Sequence, residues 1–231
     1  MATLVFVESA EGKIKKTSLE AVVYAAAIGG DVIAIALGTE VDDSELAGLG
    51  NYGAIKVLKV SDDRLNQGVI QAYANVLNQA MTSMGSDILV LANSSLGTPV
   101  SARVAIKQDA SLVTNVTELP DTSNGFKVKR SIYTGKAFAN VELTKARKVI
   151  AIKKNAAEIK EIGGSAAVEE FSPELTDSDF EVAITGVDKA TGDILLPEAE
   201  IVVAGCLGLK CPDNWGMIED LAQELEAATG C

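Results

Sequence analysis

The sequence predicts an α/β protein built on an open, doubly wound, mostly parallel sheet, with an antiparallel β extension and then a short C-terminal βα stub. Three observations carry this prediction. Over the first hundred residues, short apolar runs alternate with helical repeats and tight turns, the order that gives parallel strands joined by right-handed crossovers. Those runs are almost continuously apolar, as strands covered on both faces must be. From Ser111 onward the helical spacing disappears and extended segments follow one another.

Leu4–Val7 is a short apolar run that ends at Glu8 and reads as a buried strand. Thr17 or Ser18 is placed to cap a helix with Leu19, Val22, Val23, Ala26 and Ala27 as apolar positions and Glu20 in its first turn, and Gly29-Gly30 ends it. Asp31–Leu37 is a second strand, Asp42–Leu49 a short helix and Ala54–Val60 a third strand. Val69, Tyr73, Val76, Leu77, Ala80, Met81 and Met84 recur at three- and four-residue spacing, the stripe of a core-facing helix that stops at Gly85. Asp87–Ala92 is a fourth strand.

Beyond Ser111, Leu112–Leu119, Phe126–Ile132, Ala137–Leu143 and Lys148–Ile152 read as an antiparallel extension, with Asn124-Gly125 as a hairpin-type turn. Ala137, Ala139, Val141 and Leu143 alternate with Phe138, Asn140 and Glu142, so one face is the more polar. Ala167–Phe171 and Glu181–Val187 read as further strands. The expected organisation is an N-terminal α/β domain over 1–187, a Gly-, Pro- and charge-bearing linker over 188–197, and a βα unit over 198–231. In that last unit Ile201–Ala204 is a strand. Asp213 or Asn214 caps a helix that carries Ile218, Leu221, Ala222 and Leu225 on one face. One βα unit cannot enclose a core, so it must pack on something else or begin a further domain.

Composition narrows the function. The formal charge is −12 and no long run of Lys or Arg is present, so the cationic footprint of a nucleic-acid binder is missing. No apolar run approaches the roughly 20 residues that span a bilayer, and no signal-peptide pattern opens the chain. The three cysteines do not suggest a disulfide framework, and a cytoplasmic setting is expected. The chain has no histidine, which removes imidazole base catalysis and serine–histidine triads.

Four segments invite a functional reading. Asn93–Pro99 follows the fourth strand, where ligands of open α/β sheets sit. Its backbone N–H groups with Ser94, Ser95 and Thr98 would hold a phosphate, or the turn is simply capped. Gly205-Cys206-Leu207-Gly208, continuing to Lys210, follows a strand and allows close backbone approach or positive φ, but it lacks the full dinucleotide fingerprint. Cys206, Cys211 and Cys231 do not complete a common zinc or iron–sulfur site, so free thiols and no metal are expected. Arg103 and Arg130 are two of only four arginines. They pair either with carboxylates inside the fold or with a partner, the second of them within Arg130-Ser-Ile-Tyr-Thr-Gly-Lys136.

These residues resemble a known family. Leu4–Ser9 with the helix near Ser18-Leu19-Glu20 resembles the opening of electron-transfer flavoprotein α-subunits. Ser101–Ile106 with Ser111–Val116, and Arg130–Ala137, are similar to two further stretches of those subunits. Leu196–Gly205, then Gly208–Lys210, Asn214-Trp215 and Leu221-Ala222, resemble the entry to their flavin domain. The resemblance implies an adenine-nucleotide-hydrolase-like N-terminal domain packed on a β-subunit that binds AMP, and a second α/β domain that holds FAD. The function implied is an electron carrier rather than a catalyst with its own substrate, passing electrons from flavin dehydrogenases to a quinone oxidoreductase or similar acceptor. Cofactor contacts would fall on Gly205, Cys206, Leu207, Gly208 and Lys210.

Two departures alter that expectation. Where the family has glycine-glycine-arginine-glycine, this chain has Leu207 in place of the arginine that lies against the flavin. The chain also stops at Cys231, ahead of the main FAD-binding segments and their histidine, so weak or absent FAD binding is expected of it. The competing readings are a nucleotide-binding module that uses the Ser94–Thr98 turn, and a ligand-free interaction domain.

Overall fold

The structure, a computed structural model, describes residues 2–186, 196, 199 and 201–230. The chain forms two compact units, Met1–Ile184 and Thr185–Cys231. In the first, β1 (Ala2–Val7) leads through a two-residue hairpin, β2 (Ser9–Ala10) and β3 (Lys13–Ile14), to α1 (Lys16–Ile28). Then follow β4 (Asp31–Leu37), α2 (Asp43–Ala47), β5 (Lys56–Val60), α3 (Ile70–Met84), β6 (Ile88–Ala92) and α4 (Gly97–Lys107). The unit continues with β7 (Ser111–Val116), β8 (Lys127–Ile132), β9 (Ala137–Glu142), β10 (Lys148–Ile152) and β11 (Ala167–Glu170).

Nine strands form one sheet in the order β11-β5-β4-β1-β6-β10-β7-β8-β9. From β11 to β7 all neighbours are parallel, and β7-β8 and β8-β9 are antiparallel. Alternate residues of each central strand feed opposite layers. Leu4 and Phe6 join Leu89, Leu91, Tyr73, Leu77 and Val104 on one side. Val5 and Val7 join Val90, Ile150, Val22, Tyr24 and Leu46 on the other. This two-sided burial is why the strands carry so few polar residues. Phe6 and Tyr73 meet edge to face, with ring centroids 5.7 Å apart.

The parallel core follows the sequence reading closely, and the departures have local causes. Neither Thr17 nor Ser18 caps α1. The cap position is Lys15, without a side-chain bond. Ser18 lies inside the helix, fully buried. Its Oγ accepts the Glu8 N–H at 2.7 Å and donates to the Glu8 carbonyl at 3.2 Å. The end of β1 is buried, so both of its backbone groups must find partners. The buried face of α1 runs through Ser18, Ala21, Val22, Tyr24 and Ala25, while Ala27 is exposed.

Lys148–Ile152 is not part of the antiparallel extension. It lies between β6 and β7, parallel to both. Val149, Ile150, Ala151 and Ile152 are all buried, and only an interior strand hides both faces. The extension therefore consists of β8 and β9 against β7. The alternation expected in Ala137–Glu142 holds, with every second side chain exposed. Ala167–Glu170 forms the opposite edge strand, on β5. Residues 181–186 form no strand, and Val187 lies outside the described residues.

The second unit contains β12 (Val202–Ala204), α5 (Gly216–Glu224) and β13 (Ala228–Gly230). β12 and β13 pair in parallel, which extends the expected βα stub by one strand. Neither Asp213 nor Asn214 caps α5. Trp215 holds the cap position, and the Asn214 amide donates instead to the Leu209 carbonyl at 2.7 Å. On the helix face only Ala222 is fully buried, with Leu221 and Leu225 exposed. The expected linker 188–197 lies outside the described residues except for Leu196, and so does Cys231. Among the described residues no helix is long and apolar enough to cross a membrane.

Candidate functional site

The sheet reverses its winding between β1 and β6, with β4 and β5 on one side and β10 and β7 on the other. The crevice outside the carboxyl ends of those two strands is where such folds take ligands. Here the protein's own side chains occupy it. Glu8, at the end of β1, is 4% exposed. It accepts a hydrogen bond from the Ser94 hydroxyl and an ion pair from Lys15 Nζ at 3.3 Å.

Ser94 also receives the first free donor of α4, the Gly97 N–H, at 2.7 Å, while the Thr98 N–H donates to the Ser94 carbonyl at 3.0 Å. A helix N-terminus offers an anion its unpaired N–H groups. In this turn Ser94 has taken two of them. A phosphate entering here would have to displace Ser94 and would meet the Glu8 carboxylate. Gly97 is fixed by closeness: a Cβ there would stand 2.2 Å from the Ala92 carbonyl oxygen. Beside this cluster lies a polar cavity of about 170 Å³, lined by Lys15, Glu40, Asn66, Tyr73 and Ser95 among others. The sequence singled out Ser94, Ser95 and Thr98. It missed Glu8, whose burial depends on Ser18 and Ser94 arriving from distant elements.

The second sequence-predicted site is in the other unit. After β12 the chain passes Gly205 and Cys206, makes a tight turn over Leu207–Leu209, and reaches Lys210 with a positive φ of 69°. Gly205, Cys206, Leu207 and Lys210 line a cavity of about 400 Å³ with Leu209, Cys211, Pro212 and Trp215. The structure thus brings together four of the five expected cofactor residues and adds Trp215. The chain's only tryptophan, placed a few residues after this loop, was the available signal for it.

The two glycines of the loop differ. A Cβ on Gly205 would meet Leu209 Cδ1 and the Trp215 ring at 2.7 Å each, so its hydrogen lets the protein's own side chains close in. A Cβ on Gly208 would meet nothing within 4 Å. Neither has the positive φ that the sequence allowed for; that conformation falls on Lys210. Leu207 is 94% exposed and carries no donor. The volume lies within the usual range for a small-molecule cleft, and the mix of apolar wall, one aromatic ring and one cation is typical of such clefts. These residues fit a planar, largely apolar ring system with a modest charge.

Cys206 and Cys211 are free and exposed. Among the described residues no group of three or more His, Cys, Asp or Glu side chains is placed to hold a metal ion. Arg103 and Arg130 meet no carboxylate among the described residues. Arg103 donates to Gln71 Oε1 at 2.7 Å and Arg130 to Thr114 Oγ1 at 3.3 Å. The Arg130 Nε is buried without a partner.

The first unit is a doubly wound α/β domain whose own crevice is filled by Glu8 and Ser94, and it is followed in sequence by a second α/β unit with a glycine-bearing loop and a cleft. The family described as "Electron transfer flavoprotein domain" matches residues 3–176. The electron transfer flavoprotein subunit alpha of Bacillus subtilis (strain 168) is 29% identical over 98% of this chain and 70% of that protein. Those of Syntrophomonas wolfei and Pseudomonas aeruginosa are 28% and 32% identical, over 99% and 100% of this chain and 72% and 73% of their own lengths. The chain belongs to the electron transfer flavoprotein family, and it is of the α-subunit type.

Proposed function

We propose that this chain is the α-subunit of an αβ electron-transfer flavoprotein, a cytoplasmic carrier that takes electrons from flavin dehydrogenases and passes them to a quinone oxidoreductase or similar acceptor. The observation that supports this most directly is the cleft behind β12, where four of the five residues expected at the flavin, Gly205, Cys206, Leu207 and Lys210, line one wall. FAD, when bound, supplies the chemistry by accepting and releasing electrons. Gly205 lets Leu209 and Trp215 close the wall of the cleft and exclude water. Gly208 leaves room for a ring to approach the backbone. Lys210 would offer a positive charge to a ring system held in the cleft. Cys206 and Leu207 face the same space, and Leu207 supplies neither charge nor hydrogen bond. We further propose the division into domains over 1–187 and 198–231 with a linker between them. The filled crevice of the first unit is the reason to place the cofactor in the second.

The test is co-purification. The chain is expressed with its cognate β-subunit and run on gel filtration, and the absorbance of the eluted complex is recorded. A heterodimer with flavin bands supports the reading. Two separate, colourless proteins would refute it.

A further inference from the structure

Two cysteines share one cleft. Cys206 and Cys211 are both free and exposed, and both line the cavity of about 400 Å³ behind β12. A buried free cysteine serves as a small apolar residue, but these two face solvent. Only Leu207–Lys210 separates them in the chain, and the backbone ties each of them to the same residue. The Leu209 N–H donates to the Cys206 carbonyl at 2.9 Å, and the Cys211 N–H donates to the Leu209 carbonyl at 2.9 Å. The segment between the cysteines is therefore folded into successive turns and not extended. The last of these is a γ-turn centred on Lys210, with φ 69° and ψ −37°. Turns of this kind are rare and strained, and such strain gathers at ligand clamps and switch regions.

The surroundings of the two thiols differ. Cys211 Sγ donates to Asp213 Oδ2 at 3.7 Å, while the Cys206 thiol has no hydrogen-bond partner among the described residues. An exposed thiol without a partner is the one that a reagent meets first. A thiol already bonded to a carboxylate has a proton acceptor at hand for a second step.

We infer that Cys206 and Cys211 form a reversible dithiol–disulfide site, whose oxidant is a low-molecular-weight disulfide of the glutathione class, and that oxidation narrows the cleft. The Cys206 thiolate attacks one sulfur of the reagent. The reagent's S–S bond breaks, and one thiolate leaves and takes up the proton that Cys206 lost. The Cys211 sulfur then attacks the Cys206 sulfur of the mixed disulfide as its proton passes to Asp213. The second reagent thiolate leaves and recovers that proton. Two protein thiols and one reagent disulfide become one protein disulfide and two reagent thiols, and two electrons pass from the cysteines to the reagent. A disulfide holds its Cα atoms about 4.4–6.8 Å apart, so closing it draws the two ends of the loop together. The strained turn at Lys210 is the part that moves. The narrowed cleft would shut out a planar ring, which links what the cleft can hold to the thiol–disulfide state around it. This concerns the cleft alone and stands whether or not its ligand is FAD.

The test uses the full chain carrying Cys231→Ser, so that only this pair reacts, with oxidised glutathione as the reagent. Mass spectrometry after incubation should show the loss of both thiols with no glutathione retained, and dithiothreitol should restore them. Trp215 lines the same cleft, so its emission should shift on oxidation and return on reduction. Both cysteines are exposed, and serine at either position disturbs no core. Cys211→Ser keeps the first step and loses the second, so it should accumulate a glutathione adduct on Cys206. Cys206→Ser should form its adduct more slowly than Cys211→Ser does. Both thiols left intact, glutathione retained on both cysteines, a disulfide only between two copies of the chain, or closure that leaves Trp215 emission unchanged would each overturn the inference.

Discussion

The Ser94 hydroxyl donates to the Glu8 carboxylate and accepts the Gly97 N–H, so one side chain ties the end of β1 to the start of α4 across the point where the sheet reverses its winding. Ser94→Ala removes both bonds and leaves a buried carboxylate short of a partner. A group left unsatisfied in this way costs about 1–3 kcal/mol, and more when charged. We expect Ser94→Ala to lower the stability to urea by about 2–3 kcal/mol. The same arrangement predicts that AMP and ATP at millimolar concentration produce no heat and no shift in Tm with the isolated chain. A saturable signal would mean that Ser94 and Glu8 give way to phosphate.

The backbone of Glu8 is closed by a second serine. Ser18 Oγ satisfies both its N–H and its carbonyl, and Ser18 is fully buried. Ser18→Ala should therefore cost about 1–3 kcal/mol, well above the few tenths expected for an exposed serine. Urea titration distinguishes the two. A near-neutral result would mean that water replaces the hydroxyl.

Glu20 links α1 to the turn after β10, accepting the Asn155 N–H at 2.7 Å. Burial raises its carboxyl pKa above the ordinary 4.5, and the N–H groups of Asn155 and Ala156 with the charges of Lys16 and Lys154 offset only part of that. The folded chain thus binds this proton more tightly than the unfolded chain does. The linked stability is present below about pH 4.5 and is lost as pH rises through the raised folded value. Glu20→Gln keeps an acceptor and has no charge to bury. Its Tm relative to the parent should increase from pH 4 to pH 7. A constant difference across that range would show that the carboxylate is not penalised.

Much of this was readable in advance because burial on both faces writes itself into composition. Leu4–Val7, Asp31–Leu37 and the Val69–Met84 stripe have no other good reading. Chain adjacency to a hairpin makes Lys148–Ile152 read as another hairpin strand, but its unbroken apolar run is the signature of the interior strand that it forms between β6 and β7. The caps failed for a common reason. Ser18 and Asn214 bond to Glu8 and Leu209, partners from outside their own helices, and a local rule sees only the helix. The loop from Gly205 to Lys210 is marked out in the sequence by its family resemblance, and four of its residues line one cleft. The packing of Leu209 and Trp215 against Gly205 was not, since it depends on how α5 returns over the loop.

Gly205 and Gly208 give that loop a sharp internal contrast. Gly205→Ala sets a Cβ 2.7 Å from both Leu209 and Trp215, whereas Gly208→Ala meets nothing within 4 Å. Overpacking of this kind costs about 1–3 kcal/mol. Trp215 is the chain's only tryptophan, so its fluorescence reports on this cleft alone. Gly205→Ala should shift the emission maximum and loosen the second unit, and Gly208→Ala should do neither. If both leave the spectrum unchanged, the cleft is not closed by Trp215.

Leu207 tests the cofactor assignment itself. It is 94% exposed, so a larger polar side chain can replace it without disturbing the fold. If the loop faces FAD, Leu207→Arg adds a charged donor beside the ring, and hydrogen bonds to charged groups are worth about 1.5–3 kcal/mol. That corresponds to roughly tenfold to hundredfold tighter binding. The complex with the β-subunit should then retain more FAD through gel filtration, read from the flavin absorbance per mole of protein. The reduction potential should also rise, because a cation favours the more negative, reduced ring. Leu207→Gln, which donates without charge, should recover part of the retention and little of the potential shift. Equal flavin content and equal potential in all three proteins would place the cofactor away from Leu207.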